Sequence, residues 1–168
     1  IGVFRGQTIS LWQLASKILE SNHTYIAGIS PFDAVNDSVS KYKCINYLED
    51  IKKSFEYFKL KQSTLIKSLS QDTQSKEFIN SKKWDLIYID GCHDYEVVKL
   101  DWEISIKNIS KNGIIVIDDS SLYTNYIAPS FAFKGHPGPS KVFTEVLKMG
   151  FNNFGNCGHL NLFRSKTK

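Results

Sequence analysis

Four side chains carry most of the chemistry open to this sequence. Asp90 and His93 close the run Trp84-Asp85-Leu86-Ile87-Tyr88-Ile89-Asp90-Gly91-Cys92-His93, and Asp118 and Asp119 close Gly113-Ile114-Ile115-Val116-Ile117-Asp118-Asp119. Each run has an unbroken apolar stretch that ends abruptly in carboxylate, as a strand buried on both faces of a parallel sheet does. Asp90 and Asp118 lie 28 residues apart, room for one helix and two turns, so the two strands are expected side by side with their acidic ends together. Three crowded carboxylates repel, and without counter-charge at least one must stay protonated. A divalent cation such as Mg²⁺ relieves that conflict, because it takes hard oxygen ligands and keeps water sites open for a substrate. His93 has an unperturbed pKa of about 6.5. It is placed to act as general base on a hydroxyl that the cation has made more acidic. Taken singly, these residues have plainer readings. Strand-end acids often cap the next helix, Asp119-Ser120-Ser121 can be only a turn, and Asp94 is a competing base that also suits a helix start.

The elements that must position these groups alternate. Ile1 to Phe4 reads as the end of a buried strand, followed by a turn through Gly6. Apolar residues at helical spacing predict a helix over Ile9 to Glu20, and Tyr25 to Ile29 is a strand stopped by Ser30-Pro31. Val39 to Phe58 reads as mostly helical, Thr64 to Lys67 as a weak strand, and Asp72 to Ser81 as a short helix capped by Asp72. Leu86 to Asp90 is a strand, and Tyr95 to Ile109 a helix ended by the glycine of Lys111-Asn112-Gly113. Ile114 to Ile117 is the next strand. Lys141 to Lys148 is a helix, and Phe151 to Asn156 with His159 to Phe163 is an antiparallel hairpin around Gly158. Alternating β and α units imply an α/β fold, a doubly wound, mostly parallel sheet flanked by helices, here with a C-terminal antiparallel hairpin. In such sheets ligands bind beyond the carboxyl ends of the strands, where the acids sit.

A chain of 168 residues with 42% hydrophobic and 23% charged residues suits one globular domain, taken as 1–168. Ile1 is not an initiator methionine, so the chain is expected to begin inside a longer protein. The net charge of +4 is mild and the lysines are scattered, which argues against nucleic-acid binding. No apolar run is long enough for a membrane span, and no secretory signal pattern opens the chain. Three widely spaced cysteines fit a reducing cytoplasm better than a disulfide framework. Cys92 lies among the acids, but no neighbouring basic group lowers its pKa, so it is not read as a nucleophile.

The set resembles the class I S-adenosylmethionine-dependent methyltransferases, and within them the metal-dependent sugar and natural-product O-methyltransferases. The strongest match is Trp84 to Asp90 with Gly91, His93, Tyr95 and Asp101, followed by Gly113 to Asp119; the turn Gly2-x-x-x-Gly6 matches the family's glycine motif. The resemblance covers nearly the whole chain and implies a Rossmann-like methyltransferase fold with S-adenosylmethionine as cofactor. It implies Gly2, Gly6, Ser30, Asp33 and Asp90 on the cofactor side, Asp90, Asp118 and Asp119 as metal ligands, and His93 as catalytic base. It also places His136, in Gly135-His136-Pro137-Gly138-Pro139, and Lys134 on the substrate side, where a rigid surface turn is the competing reading. The implied acceptor is a hydroxyl on a sugar or glycosylated small molecule, and related enzymes often associate as oligomers. Serine stands at position 30, where the family carries an acid that holds the ribose hydroxyls. Ser30 or Asp33 is left to do so, and a methyltransferase-like binding domain without activity is the alternative. The glycine spacing is not that of nicotinamide enzymes. His159 is read as structural.

Overall fold

The computed structural model describes residues 1–21 and 23–164. In chain order the elements are α1 (Gln7–Ile18), β1 (Ala27–Ser30), α2 (Tyr47–Tyr57), β2 (Thr64–Lys67), α3 (Thr73–Asn80), β3 (Trp84–Ile89), α4 (Tyr95–Asn108), β4 (Ile109–Ile117), α5 (Pro137–Lys148), β5 (Asn153–Cys157) and β6 (Leu160–Arg164). β1 pairs with β2 in parallel, and β3 pairs with β4 in parallel. β6 then runs antiparallel between β4 and β5. This is the α/β architecture expected above, with the antiparallel hairpin at its C-terminal end.

Ile1 and Gly2 join the two groups of strands. Gly2 N–H donates to Ile29 O at 2.9 Å, while Ile1 O accepts from Asp90 N–H at 2.9 Å. Residues 1–4 form no strand of their own, in contrast to the strand end expected there. Their backbone nevertheless pairs with chain on both sides.

In α4 the apolar face is buried, whereas in α1 Leu11 and Ile18 are exposed and Ile9 and Gln13 are buried instead. Val98 and Trp102 of α4 are buried against Ile87, Ile89, Ile115, Ile117 and Phe163, with Tyr95 and Ile106 packed at the margin. A second core gathers Val3, Ile9, Ile26, Phe32, Tyr47, Ile51 and Phe55. Burying side chains of this size supplies about 1.5–3 kcal/mol each and fixes where the strands end. Among the described residues no helix is long and apolar enough to cross a membrane.

Three boundaries differ from expectation, each for a local reason. The helix expected from Val39 begins at Tyr47, because Asn36 and Asp37 turn their side chains onto the backbone. Asn36 Oδ1 accepts from Tyr42 N–H at 2.8 Å, and Asp37 Oδ1 accepts from Val39 and Ser40 N–H. Such bonds compete with helix formation. Asn46 then caps α2 by accepting from Glu49 N–H at 3.1 Å. The final helix starts at Pro137 rather than Lys141, since proline suits a first helical turn, where no N–H is needed. α4 stops at Asn108, and Lys111 to Gly113 lie within an irregular first part of β4 instead of closing the helix. Asp72 does occupy the residue before α3, but its Oδ2 turns back to Ser68 Oγ and Leu69 N–H rather than to the helix.

Candidate active site

The register of β3 against β4 pairs Ile89 with Ile117, so the residues that follow, Asp90 and Asp118, leave the sheet together. Asp118 N–H still donates to Ile89 O at 2.9 Å, and Tyr88 Oη donates a short bond to Asp118 Oδ2. Asp119 turns away with a φ of 51°. The chain returns to this point at Gly135, whose φ is +112° and where a Cβ would sit 2.1 Å from Asp119 O. Only glycine fits so close an approach. His136 N–H then donates to Asp119 O at 2.8 Å, which sets His136 beside the acids.

Three imidazoles surround Asp118 and Asp119. His93 Nε2 lies 3.0 Å from Asp119 Oδ2, and His136 Nε2 lies 3.8 Å from the same atom. His159 Nε2 lies 3.3 Å from Asp118 Oδ1 and 3.4 Å from Asp119 Oδ1. The His93 and His136 rings meet edge to face at 4.5 Å, and Phe133 packs on both His136 and His159. His159 O accepts from Ser120 N–H at 2.9 Å, and the buried Asn161 ties down the same hairpin, its Nδ2 donating to Ser120 Oγ at 2.8 Å and Ser121 Oγ at 2.9 Å. Among the described residues, two sets bring ligand atoms within 4.8 Å of one another: His93, Asp119 and His136, and Asp118, Asp119 and His159. Asp90 is in neither set, although it lines the same cleft with His93, Asp118 and Asp119.

The electrostatics reflect crowding. Burial pushes Asp90 up to about 8, with the charges of Asp118 and Asp119 adding to it. Burial also raises Asp118, despite the Tyr88 bond. Burial alone would lower His93, but Asp119 and Asp37 on its two ring nitrogens hold it up at about 9. Burial and the charge of His93 lower His136. Burial pushes the Cys92 thiol up to about 11, away from nucleophilic thiolate.

Beside the cluster opens a cavity of about 260 Å³ at the carboxyl ends of β1, β2 and β3. Gly2, Ser30, Asp33 and Asp90 all line it, as does Leu69 to Gln71 after β2. Its size approaches the range of small-molecule sites, about 300–1,000 Å³. Gly2 has a φ of +82°, and a Cβ on it would lie 1.9 Å from Asp90 O, so the glycine serves the packing of chain against chain. Gly6 packs over Ile51 and does not line the cavity. Asp33 Oδ1 accepts the Ala34 N–H. Lys134 Nζ is spent inside its own loop on Thr124 O, and Asp94 Oδ1 accepts the Ser38 N–H.

Two residues of the site went unrecognised in the sequence. His159 arrives through the hairpin register, and Asp37 through the loop 31–46. The turn-forming run Asn36-Asp37-Ser38, just past a strand end, was the available signal for the second.

A methyltransferase-domain family model matches residues 1–120. No curated protein matches the chain. Among solved structures, CalS11, a TDP-rhamnose 3'-O-methyltransferase of calicheamicin biosynthesis, is 16% identical with a TM-score of 0.66, and the match covers 99% of this chain and 70% of that one. The O-methyltransferase NovP is 13% identical with a TM-score of 0.71, over 99% of this chain and 70% of that one. An O-methyltransferase from Bacillus cereus, in complex with SAH, is 12% identical with a TM-score of 0.63, over 98% and 71%. By the family match over most of its length, the chain belongs to the methyltransferase-domain family, the S-adenosylmethionine-dependent methyltransferases of class I.

Proposed function

We propose that this methyltransferase acts on a hydroxyl of a sugar or glycosylated small molecule, with a divalent cation at Asp118 and Asp119 and His93 as general base. The observation that carries this reading is the cluster of two acids and three imidazoles opening beside the cavity, with Asp90 lining both. The names of CalS11 and NovP support the O-methyl assignment, and the TDP-rhamnose named for CalS11 supports the sugar.

The donor set fits a cation. Asp118, Asp119 and the imidazole of His159 offer both oxygen and nitrogen, a mixture that suits borderline divalent ions as well as the Mg²⁺ expected from the acids. Such a cation, when bound, neutralises the crowded carboxylates and polarises an acceptor oxygen. The cavity likewise fits the cofactor: Leu69 to Gln71 would flank the base, Ser30 and Asp33 would bond the ribose hydroxyls, and Asp90 lines the remaining wall, where a bound sulfonium would favour its ionised form. S-adenosylmethionine, when bound, supplies a methyl group already attached to its leaving group.

The chain's own work is positioning and proton removal. His93 Nε2 faces Asp119, whose charge helps hold the ring at about 9; a cation that took up that carboxylate would lower His93 and leave Nε2 open to take the acceptor's proton. His136 and Phe133 wall the acceptor side. A screen of sugars and glycosides with S-adenosylmethionine, reading S-adenosylhomocysteine formation with Mn²⁺, with Mg²⁺ and with EDTA, tests the reading. Turnover stimulated by a cation and lost in His93→Ala is expected. Turnover indifferent to EDTA would remove the cation from the mechanism.

A further inference from the structure

Asp37 has a place in the site that the cofactor and cation assignments do not use. Its side chain is only 3% exposed, although it comes from a loop. One oxygen, Oδ1, accepts the N–H groups of Val39 and Ser40 at 3.0 and 2.6 Å. The other, Oδ2, accepts both the backbone N–H of His93 at 3.0 Å and lies 2.6 Å from its ring Nδ1. Ser40 Oγ approaches the same nitrogen at 3.3 Å. Those backbone and ring bonds outweigh burial and hold Asp37 below the usual carboxylate range. Asp37 also lines the cavity assigned to the cofactor.

We propose that Asp37 is the positioning residue of His93: it grips the backbone and Nδ1 of that histidine together, so that Nε2 alone faces Asp119 and the acceptor side. The geometry supports this in three steps. A ring held only at Nε2 could rotate about its side-chain bonds, whereas a second short bond at Nδ1 leaves one orientation. A carboxylate at Nδ1 also keeps the proton on that nitrogen, so that Nε2 is the atom that exchanges a proton with the acceptor. A carboxylate orienting a histidine in this way is the third member in the general pattern of nucleophile, base and orienter. Moreover, Asp37 is itself fixed by two loop N–H groups, so the grip is preorganised. The inference rests on the reading of His93 as base.

The test uses the full chain loaded with S-adenosylhomocysteine and treated with EDTA. Proton NMR should show a downfield, slowly exchanging Nδ1 proton, assigned to His93 by its loss in His93→Ala. In Asp37→Asn, which keeps the shape and an acceptor for Val39 and Ser40, that signal should move upfield; in Asp37→Ala it should vanish. With an acceptor found by the screen above, kcat for Asp37→Asn should fall by about 10²-fold with acceptor KM unaltered. An unmoved Nδ1 signal, or unchanged kcat in Asp37→Asn alongside a large loss in His93→Ala, would overturn the proposal. Full turnover in His93→Ala with the signal still responding to Asp37 would instead overturn the base assignment and leave the grip standing.

Discussion

Replacing Asp90 with Asn probes the charge crowding at the strand ends. Burial, reinforced by Asp118 and Asp119, pushes Asp90 up to about 8, against about 3.9 in an unfolded chain. A carboxyl raised in the fold costs nothing below about pH 4, where both states hold the proton, and stability is then lost as pH rises toward about 8. At about 1.4 kcal/mol per pH unit, the loss between about pH 4 and pH 7 has a ceiling of about 4 kcal/mol. The cleft admits water, which lowers the expected size to roughly 2 kcal/mol. Asn removes the ionisation and keeps the shape. In urea denaturation with EDTA, Asp90→Asn should therefore match the parent at about pH 3 and exceed it by roughly 2 kcal/mol at pH 7. Adding Mn²⁺ should restore the parent, by about 2.7 kcal/mol at a hundredfold excess over its Kd, and help the variant less. A variant less stable than the parent at pH 7 in EDTA, or a difference that ignores pH, would refute the reasoning.

Two further substitutions separate the halves of the site. Asp118→Ala takes one carboxylate from the set with Asp119 and His159; cation affinity by calorimetry should fall at least about tenfold, while S-adenosylhomocysteine binding is largely kept. Gly2→Ala sets a methyl 1.9 Å from Asp90 O at a φ of +82°; a loss of about 2–3 kcal/mol in denaturation and weaker S-adenosylhomocysteine binding are expected, and a variant of parental stability would contradict the packing described.

The strands of the site were legible from consecutive apolar residues, although only β4 is buried on both faces; in β3 Leu86 is exposed while Ile87 and Ile89 are buried. Leu86 to Ile89 and Ile114 to Ile117 could be little else, and the acids at their ends followed. What periodicity cannot carry is register and loop path. His159 reaches Asp118 because β6 pairs Asn161 with Ile117, a relation between segments more than forty residues apart. Asp37 reaches His93 across 56 residues through a loop whose order lies in side chain to backbone bonds. Those same bonds stopped the helix expected from Val39, so a single physical cause hid both the loop and the residue it carries. The glycines at 2 and 6 were visible as turn residues, but what they make room for was not: Asp90 backbone for one, Ile51 for the other.

The place of His159 in the cluster has a consequence for the order in which the protein becomes competent. The cavity proposed for the cofactor is drawn from residues between Ile1 and Val97, whereas the cluster awaits His159 and the hairpin that Asn161 ties to Ser120 and Ser121. Synthesis runs from the N-terminus, so the residues proposed for the methyl-donor pocket leave the ribosome before the hairpin that completes the cluster. A chain released short of the hairpin would retain the residues that line the donor pocket and lack a complete apparatus to use it.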